Sequence, residues 1–458
     1  MRAITFPESP AFEVKSPITG QTVTTATAAT VDDVCTVAAA AAKAFPSWSK
    51  TSPKDRRSVL LKAAAVMENY SDRLIDCMVA ETGTSVTWAQ FNVRGAIGAL
   101  NEAAALTTQI RGETIPSDVP GCFAMTIRTP VGVVLGIAPW NAPLLLGLRA
   151  VLMPIACGNT AILKASEACP GSHWLIGEVL REAGLPADVV RIVTNRPEDA
   201  ALTVETLIAH PAVRRVNFTG STKVGRIIGS LAGKYLKPAV LELGGKSPIV
   251  VLEDADLEKA TAATSFGAYM NQGQICMSTE RVIVDAKIAD RFAELLVLKA
   301  ANLSQEGGLI SCYAAVHVEA MVQDAINKGA KLLTPLQRDG TRLRPVVLDH
   351  VAPGMDIYDQ ESFGPVAPIV RVNNAEEAIR VANDTEYGLA GAVFGRDLAR
   401  TLDVAQRIET GICHINSPTV KSESQLPFGG VKASGYGRFG GNAAIHEFTE
   451  LRTLTIQV

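Results

Sequence analysis

A chain of 458 residues in which 47% are apolar is long enough to form two or three domains, each with its own core. The formal net charge is −3, and no long cluster of Lys and Arg appears, so neither nucleic acid nor anionic lipid is expected as a partner. The eight cysteines form no CxxC pair, which favours a reducing compartment and argues against structural zinc. Without a signal core, a presequence or a membrane-spanning apolar run, the protein is predicted to be cytoplasmic and to bind no membrane.

The first part of the chain is predicted to be helical. Residues 31–82 contain Ala-rich windows with apolar residues three and four positions apart, interrupted near Pro46 and Pro53. From residue 131 onward, short β-branched runs alternate with helices such as 174–183. The predicted strands are 131–138, 160–163, 191–194 and 215–218. This alternation is typical of a parallel α/β sheet.

The second half of the chain repeats the alternation, with predicted strands at 249–252, 281–284, 366–371 and 392–394. A second α/β domain is therefore expected. Residues 451–458 alternate like an edge strand, and residues 126–128 lie in another segment outside the main pattern. Because arms of this kind often pair across subunits, we predict a homodimer or a homotetramer.

A nucleophile is predicted at Cys276, which lies in a polar run from Asn271 to Arg281. A cysteine reacts as a thiolate, and a polar, partly open loop favours that form. Any one cysteine taken alone is more often a small core residue. The carboxylate of Glu242, in the run Glu-Leu-Gly-Gly-Lys that ends at Lys246, is a candidate base upstream.

Seven short motifs follow one another across nearly the whole chain: Pro139–Asn141, Lys164–Glu167, Phe218–Ser221, Glu242–Lys246, Gln274–Cys276, Glu361–Pro365 and Pro427–Gly430. Together they resemble the aldehyde dehydrogenase superfamily. The resemblance implies an α/β fold with a Rossmann-type NAD-binding domain, an α/β catalytic domain and a small β oligomerisation arm. The corresponding residues are 1–111 and 131–242 for the NAD-binding domain, 243–440 for the catalytic domain, and 112–130 and 441–458 for the arm.

The resemblance implies oxidation of an aldehyde to an acid. Cys276 would form a thiohemiacetal and then a thioester, Asn141 and the Cys276 N–H would stabilise the oxyanion, and Glu242 would activate water. From its own neighbours, Asn141 could equally be a turn residue after Pro-Trp. Glu242 could be a strand-end residue paired with Lys246, although the apolar strand before it predicts a raised pKa.

The cofactor site is less evident from the residues alone. Gly220 and Gly225 are spaced more widely than in the G-x-G-x-x-G fingerprint, but they lie between a predicted strand and a predicted helix, where backbone N–H groups can bind a pyrophosphate. In the family, Ser221 contacts the phosphate, and Lys164 and Glu167 hold the adenosine ribose. An acidic Glu167 would repel a 2′-phosphate, so NAD is predicted rather than NADP. The other residues assigned to the cofactor by resemblance are Pro139, Trp140, Leu243, Gly244, Glu361 and Phe363.

The predicted substrate is a small aromatic aldehyde, because several segments resemble bacterial dehydrogenases of salicylaldehyde, vanillin and benzaldehydes. These segments are 88–93, 109–116, 272–281 and 435–439. Arg149 follows Asn141 by two helical turns and could bind a ring hydroxyl or form a structural ion pair. Apolar surface and an aromatic wall would come from Ile275, Met277 and Phe428.

The same residues bear on three other functions. An aliphatic or semialdehyde dehydrogenase of the same superfamily remains an alternative. Transfer of the acyl group to coenzyme A is disfavoured because Glu242 is present. A catalytically silent structural relative is disfavoured because Cys276, Asn141 and Glu242 are all retained.

Two departures from the family pattern are expected to have structural effects. The connection between residues 304 and 307 lacks most of a loop that usually carries Gly-Asp-Pro, and this shortening should alter a surface connection and not the chemistry. The strand that usually precedes a segment like Ser16–Gly20 should also be missing.

Overall fold

The computed structural model describes residues 9–304 and 306–457. The described chain begins with an antiparallel hairpin of Ala11–Lys15 and Thr22–Thr27. The expectation that no strand precedes Ser16 was therefore wrong. Alternating side chains form this strand, with Val14 buried between exposed Glu13 and Lys15.

Four helices follow the hairpin: Val31–Trp48, Pro53–Asn69, Ser71–Thr82 and Val86–Leu106. The first three lie within the predicted helical region 31–82, and the fourth lies beyond it. Capping residues mark where these helices begin and end. Thr30 and Asp33 form a capping box at the first helix, Ser52 caps the second, and Gly83 ends the third in the left-handed region, with φ of 67°. These helices pack their apolar faces against the first sheet and its helices.

The first sheet has six strands among the described residues, in the spatial order Gly435–Tyr436, Ala239–Glu242, Val213–Thr219, Val133–Ile137, Thr160–Lys164 and Val190–Val193. All pairs are parallel except that of Gly435–Tyr436, which comes from the region predicted to be catalytic. The five parallel strands follow the 3-2-1-4-5 order of a Rossmann sheet. Their connections contain the helices Pro143–Ala156, Pro170–Glu182, Ala200–Ala209 and Thr222–Lys234, and the 3-10 turn Pro197–Asp199.

The second sheet has seven strands among the described residues, in the order Lys331–Leu332, Val346–Asp349, Val366–Val372, Arg281–Asp285, Pro248–Val251, Ala390–Phe394 and Ile412–Ile415. Only the first pair is antiparallel. Apolar strands buried on both faces are expected in such a sheet. The remaining elements of this region are the helices Leu257–Tyr269, Ala286–Ala301, Cys312–Asn327, Asp356–Asp359, Ala375–Asn383 and Leu398–Arg407, the 3-10 turns Met270–Gly273 and Lys432–Ser434, and the hairpin Arg338–Asp339 with Arg342–Leu343.

A third sheet forms the arm. Thr449–Gln457 pairs antiparallel along the whole of Cys122–Pro130, which also pairs with Thr114–Ile115, and the helix Gly441–Glu447 leads into the last strand. The two parallel sheets and the separate arm sheet confirm the predicted α/β fold. Within the described part of the chain, no helix combines the length and apolar character needed to cross a bilayer.

Candidate active site

The candidate site lies where the chain crosses from the first large sheet to the second. Strand Ala239–Glu242 ends at Glu242, and the chain crosses directly to strand Pro248–Val251 of the second sheet. Cys276 lies shortly before strand Arg281–Asp285, so it is at the N-terminal edge of that sheet. The carboxyl edge of the first sheet and the amino edge of the second therefore bring Glu242 and Cys276 into one region.

The loop before Cys276 has an unusual backbone. Asn271, Gln272 and Gly273 have φ angles of 51°, 58° and 73°, three left-handed residues in succession. A Cβ atom on Gly273 would lie 2.0 Å from the carbonyl oxygen of Gly364, so glycine is required there. The hydroxyl of Thr84 donates to Asn271 Oδ1 at 2.6 Å and helps to hold this strained turn.

The Cys276 thiol is half-buried and lies at the junction of two cavities. Burial raises the pKa of this thiol to about 12, the positive charge of Arg149 lowers it, and the carboxylates of Glu242 and Glu361 raise it further. The thiol is thus protonated at neutral pH in the ligand-free protein. Its activation requires a group that accepts the proton.

Asn141 is held by contacts with the nucleophile loop. Its Nδ2 donates to the backbone carbonyl of Gln274 at 2.9 Å, and the backbone carbonyl of Asn141 accepts from Trp88 Nε1 at 2.8 Å. A second donor to that carbonyl is Asn271 Nδ2, at 3.2 Å. The side chain therefore reaches across to the residues before Cys276 and does more than form its own turn. One of its two amide hydrogens is left for a ligand, since Gln274 takes the only hydrogen bond from Nδ2 among the described residues.

Glu242 is buried, with 2% of its surface exposed. Burial raises its pKa to about 8, while Arg149, Arg438 and the nearby N–H of Gly430 lower it. Neither carboxylate oxygen has a hydrogen bond of good geometry from the described residues. Pairing with Lys246 is excluded, because Lys246 Nζ binds Glu280 at 2.7 Å instead.

One cavity, of about 280 Å³, opens at the carboxyl edge of the first sheet. It lies between the ends of strands Val133–Ile137 and Val213–Thr219, where the strand order reverses and ligands bind in sheets of this type. Besides Asn141, Glu242 and Cys276, its lining includes eight of the residues predicted to bind the cofactor: Pro139, Trp140, Gly220, Ser221, Leu243, Gly244, Glu361 and Phe363.

Glu361 is packed against the Gly244–Gly245 turn. Its Oε1 accepts from the Gly245 N–H at 2.9 Å, and a Cβ atom on Gly244 would lie 2.4 Å from its Oε2. Burial raises the pKa of Glu361 to about 8, and the charge of Glu280 raises it further. Nearby, the ring of Phe363 meets that of Trp140 edge to face, with centroids 5.9 Å apart.

Three predicted cofactor residues lie outside the lining of this cavity. Lys164, at the end of strand Thr160–Lys164, forms an ion pair with Glu167, which also accepts from Asn195 Nδ2 at 2.9 Å. Gly225 lies in the helix Thr222–Lys234 and allows that helix to pack closely against Leu243, because a Cβ atom there would lie 2.3 Å from the Leu243 side chain. Gly225 therefore supports the wall of the cavity from behind.

A second cavity, of about 140 Å³, lies on the other side of Cys276, and Arg149, Ile275, Met277 and Phe428 all line it. The Arg149 guanidinium lies between two rings, 4.6 Å from the centroid of Phe428 and 4.7 Å from that of Phe439. Among the described residues its one polar contact is with Thr219 Oγ1, at 3.5 Å. The structural ion pair considered for Arg149 is therefore not formed there.

Sequence reasoning assigned no role to several walls of this second cavity. Trp88 and Phe91 stack with their centroids 5.0 Å apart and their planes 8° apart, and both line the cavity. Their spacing of three residues on one helix places the two rings on the same face, and this could have been predicted from the sequence. Other apolar lining residues are Leu145, Leu146, Leu152, Met153, Val420, Leu426 and Phe439.

The shortened connection lies at the surface, as expected, and the segment that follows it reaches the site. Ser304 and Glu306 are exposed, but Gly308 and Leu309 are buried. Gln274, two residues before Cys276, donates from Nε2 to the Gly308 carbonyl at 3.2 Å and accepts from the Ile310 N–H at 2.9 Å. The segment after the connection thus supports the nucleophile loop.

Comparisons with known proteins agree with this arrangement. The family model described as "Aldehyde dehydrogenase family" matches residues 5–454. A vanillin dehydrogenase of Pseudomonas fluorescens is 54% identical over 455 residues, covering 97% of this chain and 94% of the relative. The solved structure of a salicylaldehyde dehydrogenase from Pseudomonas putida G7, complexed with salicylaldehyde, is 45% identical with a TM-score of 0.97, covering 98% of this chain and 95% of that chain. An NADP-dependent succinate-semialdehyde dehydrogenase of Deinococcus radiodurans is 37% identical, covering 97% of this chain and 94% of the relative. This chain belongs to the aldehyde dehydrogenase family.

Proposed function

We propose that the protein oxidises a small aromatic aldehyde, of the salicylaldehyde, vanillin or benzaldehyde type, to the carboxylic acid with NAD. The observation that carries this proposal is the position of Cys276 between a cavity at the Rossmann switch point and an apolar cavity walled by aromatic rings. Relatives named for vanillin and salicylaldehyde support the choice of substrate class.

The first stage uses Cys276 and Asn141. The Cys276 thiol gives up its proton to water, and its sulfur attacks the aldehyde carbon, which becomes tetrahedral with a negative charge on the oxygen. The free N–H of Asn141 Nδ2 stabilises that charge, and loss of one such donor costs about 2.7 to 4 kcal/mol in the transition state. Loss of a hydride from this adduct leaves an acyl thioester on Cys276.

The residues present fit NAD, which when bound supplies the hydride acceptor. The exposed start of helix Thr222–Lys234, beside Gly220 and Ser221, offers backbone N–H groups and a positive dipole for a pyrophosphate. Trp140, Glu361 and Phe363 would hold the end of the cofactor that lies toward Cys276. Lys164 and Glu167 would hold the ribose at the other end, and the charge of Glu167 favours NAD over NADP.

Glu242 acts in the second stage. A carboxylate that has no hydrogen bond of good geometry is free to accept a proton from water, and a pKa near 8 makes it a stronger base than an ordinary glutamate. Water activated in this way hydrolyses the thioester and releases the acid, which restores the Cys276 thiol.

The substrate ring would lie in the apolar cavity. Phe428, Ile275 and Met277 offer flat and adaptable surfaces, and Arg149 offers hydrogen-bond donors beside Phe428 for a ring substituent. A semialdehyde is the competing substrate, because its carboxylate could also pair with the half-buried Arg149.

We further propose that the protein works in the cytoplasm as a homodimer or homotetramer. All eight cysteines are free thiols, as suits a reducing compartment. The arm sheet, whose edge strand Thr449–Gln457 and apolar face are both exposed, would supply the contact between subunits.

A screen of aldehydes with NAD, followed by NADH absorbance, tests the proposed function. Benzaldehyde, salicylaldehyde and vanillin should give kcat/KM values at least tenfold above those of hexanal and succinate semialdehyde. Cys276→Ala should abolish NADH formation with all of them, because no covalent adduct can form. Weak activity on every aromatic aldehyde, or full activity of the Cys276→Ala variant, would contradict the proposal.

A further inference from the structure

Glu280, four residues after Cys276, is buried and collects hydrogen bonds from another loop. Its carboxylate accepts from the Ser362 N–H at 3.1 Å, from the Ser362 hydroxyl at 2.9 Å and from the Phe363 N–H at 3.0 Å. Only 3% of its surface is exposed. These bonds attach the loop containing Glu361 and Phe363 to the strand that follows the nucleophile.

The same carboxylate binds a third segment. Lys246 Nζ donates to Glu280 Oε2 at 2.7 Å, and the lysine side chain is completely buried. Lys246 directly follows the Gly244–Gly245 turn that holds the carboxylate of Glu361. Glu280 therefore joins three segments that surround the cofactor cavity: the chain after Cys276, the turn ending at Lys246, and the loop of Glu361 and Phe363.

The geometry of Phe363 shows why such a fixed acceptor is needed. Phe363 has a φ of 48°, in the left-handed region that a bulky residue rarely adopts. The cost of a strained backbone of this kind must be offset by its surroundings. The hydrogen bond from the Phe363 N–H to Glu280 contributes to this, and it sets the ring against Trp140 on the cavity wall.

We propose that Glu280 is a positioning residue that holds Glu361 and Phe363 in the conformation that receives the nicotinamide end of NAD beside Cys276. The inference rests on the proposed function. A carboxylate suits this role because its two oxygens accept all four donors, whereas an amide would turn N–H groups toward Lys246 or Ser362.

Glu280→Gln tests the proposal directly, with Asp349→Asn as the matched control. Asp349 is a buried carboxylate in the same sheet, paired with Arg371, but it lies at the opposite edge. Glu280→Gln should weaken NAD binding, measured by calorimetry, by about tenfold, because hydrogen bonds to a charged acceptor are lost. Asp349→Asn should bind NAD like the wild type, even if its melting temperature falls as much as that of Glu280→Gln.

A second measurement separates positioning from general damage. The ester 4-nitrophenyl acetate acylates a thiol without loss of a hydride, so its hydrolysis by Cys276 and Glu242 needs no cofactor. Glu280→Gln should keep this hydrolysis within about twofold of wild type, and amide hydrogen exchange at Ser362 and Phe363 should accelerate in the ligand-free protein. Unchanged NAD affinity, or parallel losses of ester hydrolysis and NAD binding, would overturn the proposal.

Ser362→Ala keeps the inference testable if Glu280→Gln folds poorly. It removes one donor and leaves the Glu280–Lys246 pair intact, so a smaller loss of NAD affinity of about threefold is expected, again with ester hydrolysis retained. In that case, NAD affinity equal to wild type in Ser362→Ala would refute the role of Glu280. Absence of aldehyde oxidation in the wild type would instead refute the proposed function, since NAD binding and loop exchange are measured without substrate.

Discussion

At the scale of single residues, burial determines how Glu242 behaves. Glu242→Gln should allow Cys276 to be acylated but should slow hydrolysis of the thioester, because the amide cannot accept a proton from water. Rapid mixing with benzaldehyde and NAD should show a burst of about one NADH per active site, followed by turnover slowed by about 100-fold or more. Steady-state turnover equal to wild type would contradict the assignment of Glu242 as the base.

The pH dependence of thioester hydrolysis provides the control for the Glu242→Gln variant. Because the pKa of Glu242 is raised to about 8, the carboxyl group is neutral below that value and becomes a base above it. Thioester hydrolysis in the wild type should therefore rise from pH 6.5 to 8.5 and then level off. The rise should be absent in Glu242→Gln, and a wild-type profile that falls over this range would argue against the assignment.

Residue types indicated candidate reacting groups but not the contacts of those groups. Cys276, Glu242 and Asn141 are found from motifs that combine a thiol, a carboxylate and an amide in polar or strand-end settings. The partner of Lys246 was not predictable, because Glu242 and Glu280 are both carboxylates within reach in sequence. Packing alone placed Glu280, and not Glu242, against the ammonium group.

At the scale of elements, the turn after strand Thr160–Lys164 is predicted to select the cofactor. Glu167→Gln should lower the ratio of kcat/KM for NAD to that for NADP by about tenfold, because a charge that repels a 2′-phosphate is removed. Parallel kinetics with both cofactors measure the ratio. Glu182→Gln, an exposed change at the end of helix Pro170–Glu182, is the control and should leave the ratio unchanged. A wild-type preference for NADP would contradict the role of Glu167.

The elements themselves were largely predictable, since β-branched runs and apolar spacing reveal buried strands and helices locally. The strand Ala11–Lys15 was missed because the family comparison, and not its own alternating pattern, guided the prediction. The contact of Gly308 and Ile310 with Gln274 was missed for another reason. A shortened loop says nothing about the direction in which the chain continues after it.

At the scale of the whole molecule, the arm sheet presents apolar side chains that no described residue covers. Phe123 and Ile456 are cross-strand neighbours, and they are 47% and 49% exposed. A double change of Phe123→Lys and Ile456→Lys should reduce the molecular mass measured by light scattering toward that of a monomer, because charges would be buried in the contact between subunits. Thr455→Lys, an exposed change on the opposite face of the same strand, is the control and should leave the mass unchanged.

A wild-type mass equal to one chain would contradict the predicted oligomer. An unchanged mass in the double variant would instead show that the face of Phe123 and Ile456 lies outside the contact.

The sequence by itself determined the family, the alternation that forms two parallel sheets, and the identities of the thiol, amide and carboxylate at the site. These follow from local patterns and from motifs that keep their order along the chain. Only the tertiary structure decided that Cys276 stands between two cavities, that Arg149 lies between two aromatic rings, and that Glu280 joins the loops around the cofactor cavity. The physical reason is that these contacts link distant segments, as in the hydrogen bonds from Ser362 to Glu280 across 82 residues. Their partners are selected by packing and burial, which no local pattern records.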